Sequence, residues 1–179
     1  MIQKLPISLI LLFMFFAGHA MAQEDTQPEE ETTTLNRVVF SLGYTWIPQG
    51  DDLDDKESEG GFFVPAIGFD YFRKVHDRWE IGVMWDWELE HYIVREENLE
   101  RERSMLFALI ANYELMEHWA VFGGGGIELE KHENLPIFRI GTEYSVDIGQ
   151  QWELIPTFAL DIKKGFNTYN LAVGFCKRF

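Results

Sequence analysis

Apolar and polar residues alternate along most of this chain with a period of two. In "WEIGVMWDWELE" (79–90), Ile81, Val83, Trp85, Trp87 and Leu89 fall on one face of an extended chain. Glu80, Asp86, Glu88 and Glu90 fall on the other, with Gly82 and Met84 in the remaining places. This period belongs to a strand with two unlike faces. A soluble sheet buries the apolar face and leaves the acids in water. A membrane barrel does the reverse, with apolar residues against lipid and acids in the lumen.

The alternation recurs in eight segments: 37–48, 62–72, 79–90, 104–115, 119–130, 137–146, 152–162 and 169–179. Their length of roughly ten residues is that of a tilted membrane strand, and an even number suits a closed antiparallel sheet. The connections after the first, third and fifth segments are long or charged: "QGDDLDDKESEGG", "REENLERER" and "KHENLP". Those after the second, fourth and sixth are tight: "RKVHDR", "MEH" and "DIGQQ". The segment 104–115 alternates less cleanly, because Leu106 and Ile110 share a face with Asn112 and Glu114. Pro65 and Pro156 each remove a ladder donor, so bulges are expected there. Gly123 to Gly126 resemble no phosphate loop, since no lysine or helix follows. In a barrel such a run marks curvature, or a place where a large neighbour fills space.

Tryptophans punctuate the pattern. Trp79, Trp119 and Trp152 each follow a tight turn, in "HDRWEIG", "EHWAVFG" and "QQWELIP". A ring of indoles at one depth suits a membrane interface, because the ring is apolar with one polar handle. Trp46 and Trp87, at the far ends of the first and third segments, are expected to start a second ring. The competing architecture is a soluble sandwich or lipocalin-like barrel with these aromatics in its core.

The amino terminus stands outside the pattern. Residues 1–22 carry a lone Lys4, an apolar run over 7–16 and Ala20-Met21-Ala22, which predicts a signal peptide cleaved before Gln23. Residues 23–36 are polar and acidic and are expected to be a flexible lead-in to a barrel over 37–179. The net charge is −15, which makes nucleic acid a poor partner and favours cations or basic groups. Cys176 is the only cysteine, so no internal disulfide holds the fold.

The signal peptide, the eight segments, the post-turn tryptophans and the ending "NLAVGFCKRF" together resemble the small eight-stranded outer-membrane β-barrels of Gram-negative bacteria, of the OmpX and OmpA-barrel type and the porin-like families. The resemblance implies an all-β, up-and-down transmembrane barrel in the outer membrane with both termini periplasmic. It implies contact with outer-membrane lipid and lipopolysaccharide, a monomer, and a carboxy-terminal assembly signal formed by Leu171, Val173, Phe175 and Phe179. Some members of this group are adhesion or interaction proteins, and others modify lipid A.

Candidate chemistry is sparse, and no cofactor is expected. Asp86, Glu88 and Glu90 share one strand face, as do Glu128, Glu130 and His132; converging, they could ligate a divalent cation. The competing reading is a polar lumen with ion pairs to Arg139, Lys163 and Arg178, in which acids outnumber bases. Neutralising one such acid is then expected to be tolerated or mildly stabilising, since like-charge repulsion and desolvation are relieved. Asp51, Asp52, Asp54, Asp55, Glu57 and Glu59 form an acidic loop without the glycine-centred spacing of an EF-hand; divalent cations could gather there. Ser104 and His91 lie near facing strand ends, but the His-x-Ser pattern associated with lipid A deacylases is absent. The expectation is a structural or interaction protein that displays acidic loops and is neither an enzyme nor an open pore; the alternatives are a lipid-modifying enzyme of the lipid A deacylase kind and a narrow porin-like channel.

Overall fold

The computed structural model describes residues 34–51, 61–95 and 99–179. The expected signal peptide over 1–22 lies outside the described residues, as does the lead-in before Thr34. The strands are β1 (Asn36–Ile47), β2 (Gly50–Asp51), β3 (Phe62–His76), β4 (Trp79–Glu88), β5 (His91–Val94), β6 (Leu99–Glu102), β7 (Met105–Met116), β8 (Trp119–Leu129), β9 (Leu135–Tyr144), β10 (Val146–Gly149), β11 (Trp152–Lys163) and β12 (Asn167–Arg178). No helix occurs among the described residues.

β1, β3, β4, β7, β8, β9, β11 and β12 form one antiparallel wall in that order, and β12 returns to pair with β1. The seam is knitted to its end: Asn36 N–H donates to Phe179 O and Phe179 N–H to Asn36 O, each at 2.9 Å. β10 continues the wall beyond β9 along β11. The result is a closed eight-strand barrel, whose wall has no free edge to satisfy. The tight turns and both ends of the described chain lie at one end of the barrel, here the turn end. The longer connections lie at the other, the loop end.

The alternation reads as membrane barrels read. Along β4, Ile81, Val83 and Trp85 are exposed outside, while Gly82, Met84 and Glu88 are buried inside. Leu106 and Ile110, which blur the pattern in β7, also point inward. They join Phe72, Met84, Phe122 and Ile137 in an apolar cluster within the barrel, so the interior is not lined by acids alone.

Three expectations need correction. Neither proline causes a bulge. Pro65 pairs with Tyr44 and Pro156 with Val173 in unbroken register. The carbonyl of Pro65 accepts from Leu89 N–H. The N–H and C=O of a strand residue point to the same side, so the missing donor faces the end of the β4 ladder. Pro156 lies opposite the interval between β9 and β10, where bridging lapses at Ser145. The register shifts fall elsewhere, at Lys74/His76, Glu114/Met116 and Asp147/Gly149, beside the tight turns.

The second correction concerns the loops. β2, β5 and β6 form a second, three-stranded antiparallel sheet at the loop end, which the eight-segment reading does not include. Its Tyr92 and Val94 pack with Ile47, Val64, Leu135 and Phe166. Third, the wall begins at Asn36 rather than after it, and Leu35 O already accepts from Lys74 N–H at 2.7 Å.

Candidate functional site: the charged barrel interior and its cap

Inward positions at the turn end bring together side chains from six strands. Arg37, 1% exposed, donates from Nε to Glu80 Oε2 and from Nη2 to Glu143 Oε1, both at 2.7 Å. Arg178 reaches Glu80 Oε1 at 3.0 Å and Glu153 Oε1 at 2.7 Å. Asn112 Nδ2 donates to Glu143 at 2.9 Å and to Glu80 at 3.2 Å. The Arg37 guanidinium lies 4.4 Å from the centre of the Phe72 ring, so the ion pairs rest on the apolar cluster above. On the turn side of this layer the barrel opens as a cavity of about 260 Å³ lined by Glu80, Asn112, Glu143 and Arg178.

The middle is filled. Arg139 grips Asp161 with two bonds, at 2.6 and 2.8 Å, and also pairs with Asp86. The fork geometry of a guanidinium on a carboxylate adds direction to charge. Between Asp70, Asp86 and Arg139 the remaining cavity is about 10 Å³, roughly the room one water needs.

The loop end is closed by the small sheet and by Arg101 from β6. This fully buried guanidinium pairs with Glu128 and donates from Nη1 to Glu133 O at 2.6 Å. Lys163 pairs with the other oxygen of Glu128. Glu88 accepts from Ser104 Oγ, and from Tyr92 Oη at 2.9 Å. Burial, with the Glu88 and Glu128 charges nearby, pushes the Tyr92 phenol well above its ordinary range, so it remains a donor.

No protein family matches the sequence, and no curated protein does. Solved structures do. Neisserial surface protein A (NspA) superposes with a TM-score of 0.52 at 8% identity, over 80% of this chain and 97% of NspA. Ail, the attachment invasion locus protein of Yersinia pestis, gives 0.49 at 10% identity over 81% and 99%. OprG from Pseudomonas aeruginosa gives 0.45 at 12% over 82% and 96%. The chain has the fold of a small eight-stranded outer-membrane barrel. At such identities the likeness is one of fold.

Within this barrel the six candidate metal ligands do not assemble. Asp86, Glu88 and Glu128 point inward but are engaged by Arg139, by Ser104 and Tyr92, and by Arg101 and Lys163. Glu90 is exposed. Glu130 directly follows β8, its side chain covered and turned toward His132. Its Oε2 accepts from His132 N–H at 2.7 Å and its Oε1 is 3.1 Å from His132 Nδ1. Burial raises the Glu130 carboxyl, but these bonds and the Glu133 N–H outweigh it and hold the group below its ordinary range. Among the described residues no group of His, Cys, Asp and Glu is placed to hold a metal ion. Asp51 is buried and pairs with Arg95 at 3.2 Å; Asp52, Asp54, Asp55, Glu57 and Glu59 lie outside the described residues. Ser104 and His91 are not partners: the serine turns to Glu88, and His91 Nε2 sits 3.5 Å from Glu100 and 3.9 Å from Glu102.

Acids outnumber bases in the interior, as expected, but most of them are paired with a base. Arg139, Lys163 and Arg178 are where they were expected. Arg37 and Arg101 were missed. Position 37 shares parity with Val39 and Ser41 on the inward face, so its role was legible. Arg101 sits in the charged run "REENLERER", where nothing local marks one residue as buried.

The aromatics stand at both rims, outside. Trp79, Trp119 and Trp152 open their strands at 44%, 47% and 42% exposure. Trp46 and Trp87 face outward at the loop end, and Trp46 stacks on Phe63 with ring centres 6.3 Å apart. Lys177 bends back to the turn end, its Nζ donating to Gln150 O at 2.5 Å. Leu171, Val173 and Phe175 face outward, and Phe179 is exposed just past β12.

Proposed function

We propose that the protein is an integral outer-membrane barrel of structural or interaction type, with its turn end and termini in the periplasm. It presents acidic loops and the β2–β5–β6 cap outward as a monomer. One observation carries this reading: the outer wall is apolar, while the interior is filled by ion pairs and apolar side chains to the point of holding about one water at mid-height. Such a barrel is stable in lipid and conducts little. The outward tryptophans serve as interface anchors, and Leu171, Val173, Phe175 and Phe179 as the mark read by the assembly machinery. The acidic run that begins at Asp51 is the place for divalent cations to gather. Lipid hydrolysis is disfavoured because Ser104 is buried and bonded to Glu88, away from His91.

The test is reconstitution. The refolded protein should migrate faster unheated than boiled, and planar bilayers containing it should show no large, stable conductance. Recovery from cells as a soluble periplasmic protein would refute the membrane reading; steady open-pore currents would refute the closed one. Unchanged lipid A in a deletion strain would support a non-enzymatic role.

A further inference from the structure

Two of the four consecutive glycines in β8 have no packing reason to be glycine. Gly124 and Gly126 face inward, where an added Cβ would collide with the backbone carbonyls of Leu109 and Phe107. Gly123 and Gly125 face outward. A Cβ on Gly125 would meet its nearest neighbour, Ile137 O, only at 3.9 Å; on Gly123 the nearest is Ile140 Cγ2 at 3.6 Å. With Ala111 opposite Gly123, they leave a furrow down the outer wall between the exposed Leu109 and Phe138. Toward the loop end the furrow meets two apolar cross-strand pairs, Phe107–Ile127 and Met105–Leu129. Above these, at the rim, Met105 and Leu129 share an open groove of about 370 Å³ with Arg103 and Lys131, and Glu102 and Glu130 also line it. Arg103 is exposed, held with φ at 49° by its N–H bond to Glu90 O at 3.2 Å. Lys131 is 73% exposed, and its contact with Glu102 is a loose 3.6 Å. Glu130, which also borders the groove, turns its carboxylate beneath His132 instead.

We infer that this rim groove and the furrow below it form a binding site for one phosphorylated lipid, the phosphates held by Arg103 and Lys131 and an acyl chain lying along Met105, Leu129 and the Gly125–Gly123 furrow. The site rests on the reading of the chain as a membrane barrel. An exposed cationic pair directly over an apolar floor fits an anionic amphiphile, and a guanidinium matches phosphate with paired donors. Two bases suit a headgroup with two phosphates, as the lipid A part of lipopolysaccharide has; the rim lies at the end away from the termini, which that reading places in the outer leaflet.

Native mass spectrometry of the protein released from detergent would count bound lipid. The lipids are bisphosphorylated lipid A, the same lipid A stripped of phosphate, and phosphatidylglycerol. The wild type should retain one bisphosphorylated molecule preferentially. The double variant Arg103→Gln, Lys131→Gln should retain it about tenfold less. Gly125→Leu, which fills the furrow without touching the bases, should also weaken retention. All variants should keep the heat-dependent mobility of the wild type. Failure of that mobility in the wild type would refute the membrane barrel itself. With mobility intact, equal retention of phosphate-free lipid A or of phosphatidylglycerol would overturn the site, as would wild-type retention by the double variant.

Discussion

Arg139 holds Asp161 from the adjacent β11 and Asp86 from β4, and Glu128 is held between Arg101 and Lys163. In a water-poor lumen each of these charges is costly alone and tolerable in company. Arg139→Ala should therefore cost about 3–5 kcal/mol, since it strands the buried Asp161 and the partly buried Asp86. Glu128→Gln should also destabilise the barrel, because it removes the counter-charge of two buried bases; the sequence alone suggested relief. Urea refolding midpoints, followed by tryptophan fluorescence, would measure both. A gain in stability from Glu128→Gln would mean that the lumen is wetter than these contacts imply.

At the scale of elements, β8 and the cap make distinct demands. Gly124 in β8 lies against the β7 backbone and Gly123 does not. Gly124→Val should block refolding, or cost at least the ~1–3 kcal/mol of an overpacked core, while Gly123→Val should fold normally; gel mobility after refolding separates them. The β8–β9 connection has a pH response with a definite sign. Glu130 is depressed in the folded state, so its contribution is complete above the ordinary glutamate value and lost only as pH falls below it. Hydrogen exchange at the His132 and Glu133 amides should stay protected from neutral pH down to that ordinary range and rise below it. In Glu130→Gln the acid-dependent step should vanish. An unchanged step in that variant would assign the response to another group.

For the whole molecule, the decisive question is which face meets lipid. A cysteine at Val83 or Leu109, in a Cys176→Ser background, should resist a water-soluble maleimide in lipid and react with a membrane-dissolved probe. Val83→Lys should cost about 2–4 kcal/mol if it lies near the midplane. Ready aqueous labelling at both positions would turn the barrel inside out and place the tryptophans in a soluble core.

The strand positions, their number and the two faces of each were legible in the sequence, because alternation is a local property set by the pleat. The same parity placed Trp79, Val83 and Asp86 on their sides of the wall. Other features waited for the tertiary structure. Which base meets which acid depends on register around a closed wall, so Arg37 between Glu80 and Glu143 joins residues far apart in the chain. The β2–β5–β6 cap depends on two distant connections meeting over one opening, and Arg101 is buried only because they do. The two prolines were misjudged for the same reason: a missing donor matters only if a neighbouring strand stands ready to accept it, and closure of the barrel determines where those neighbours end.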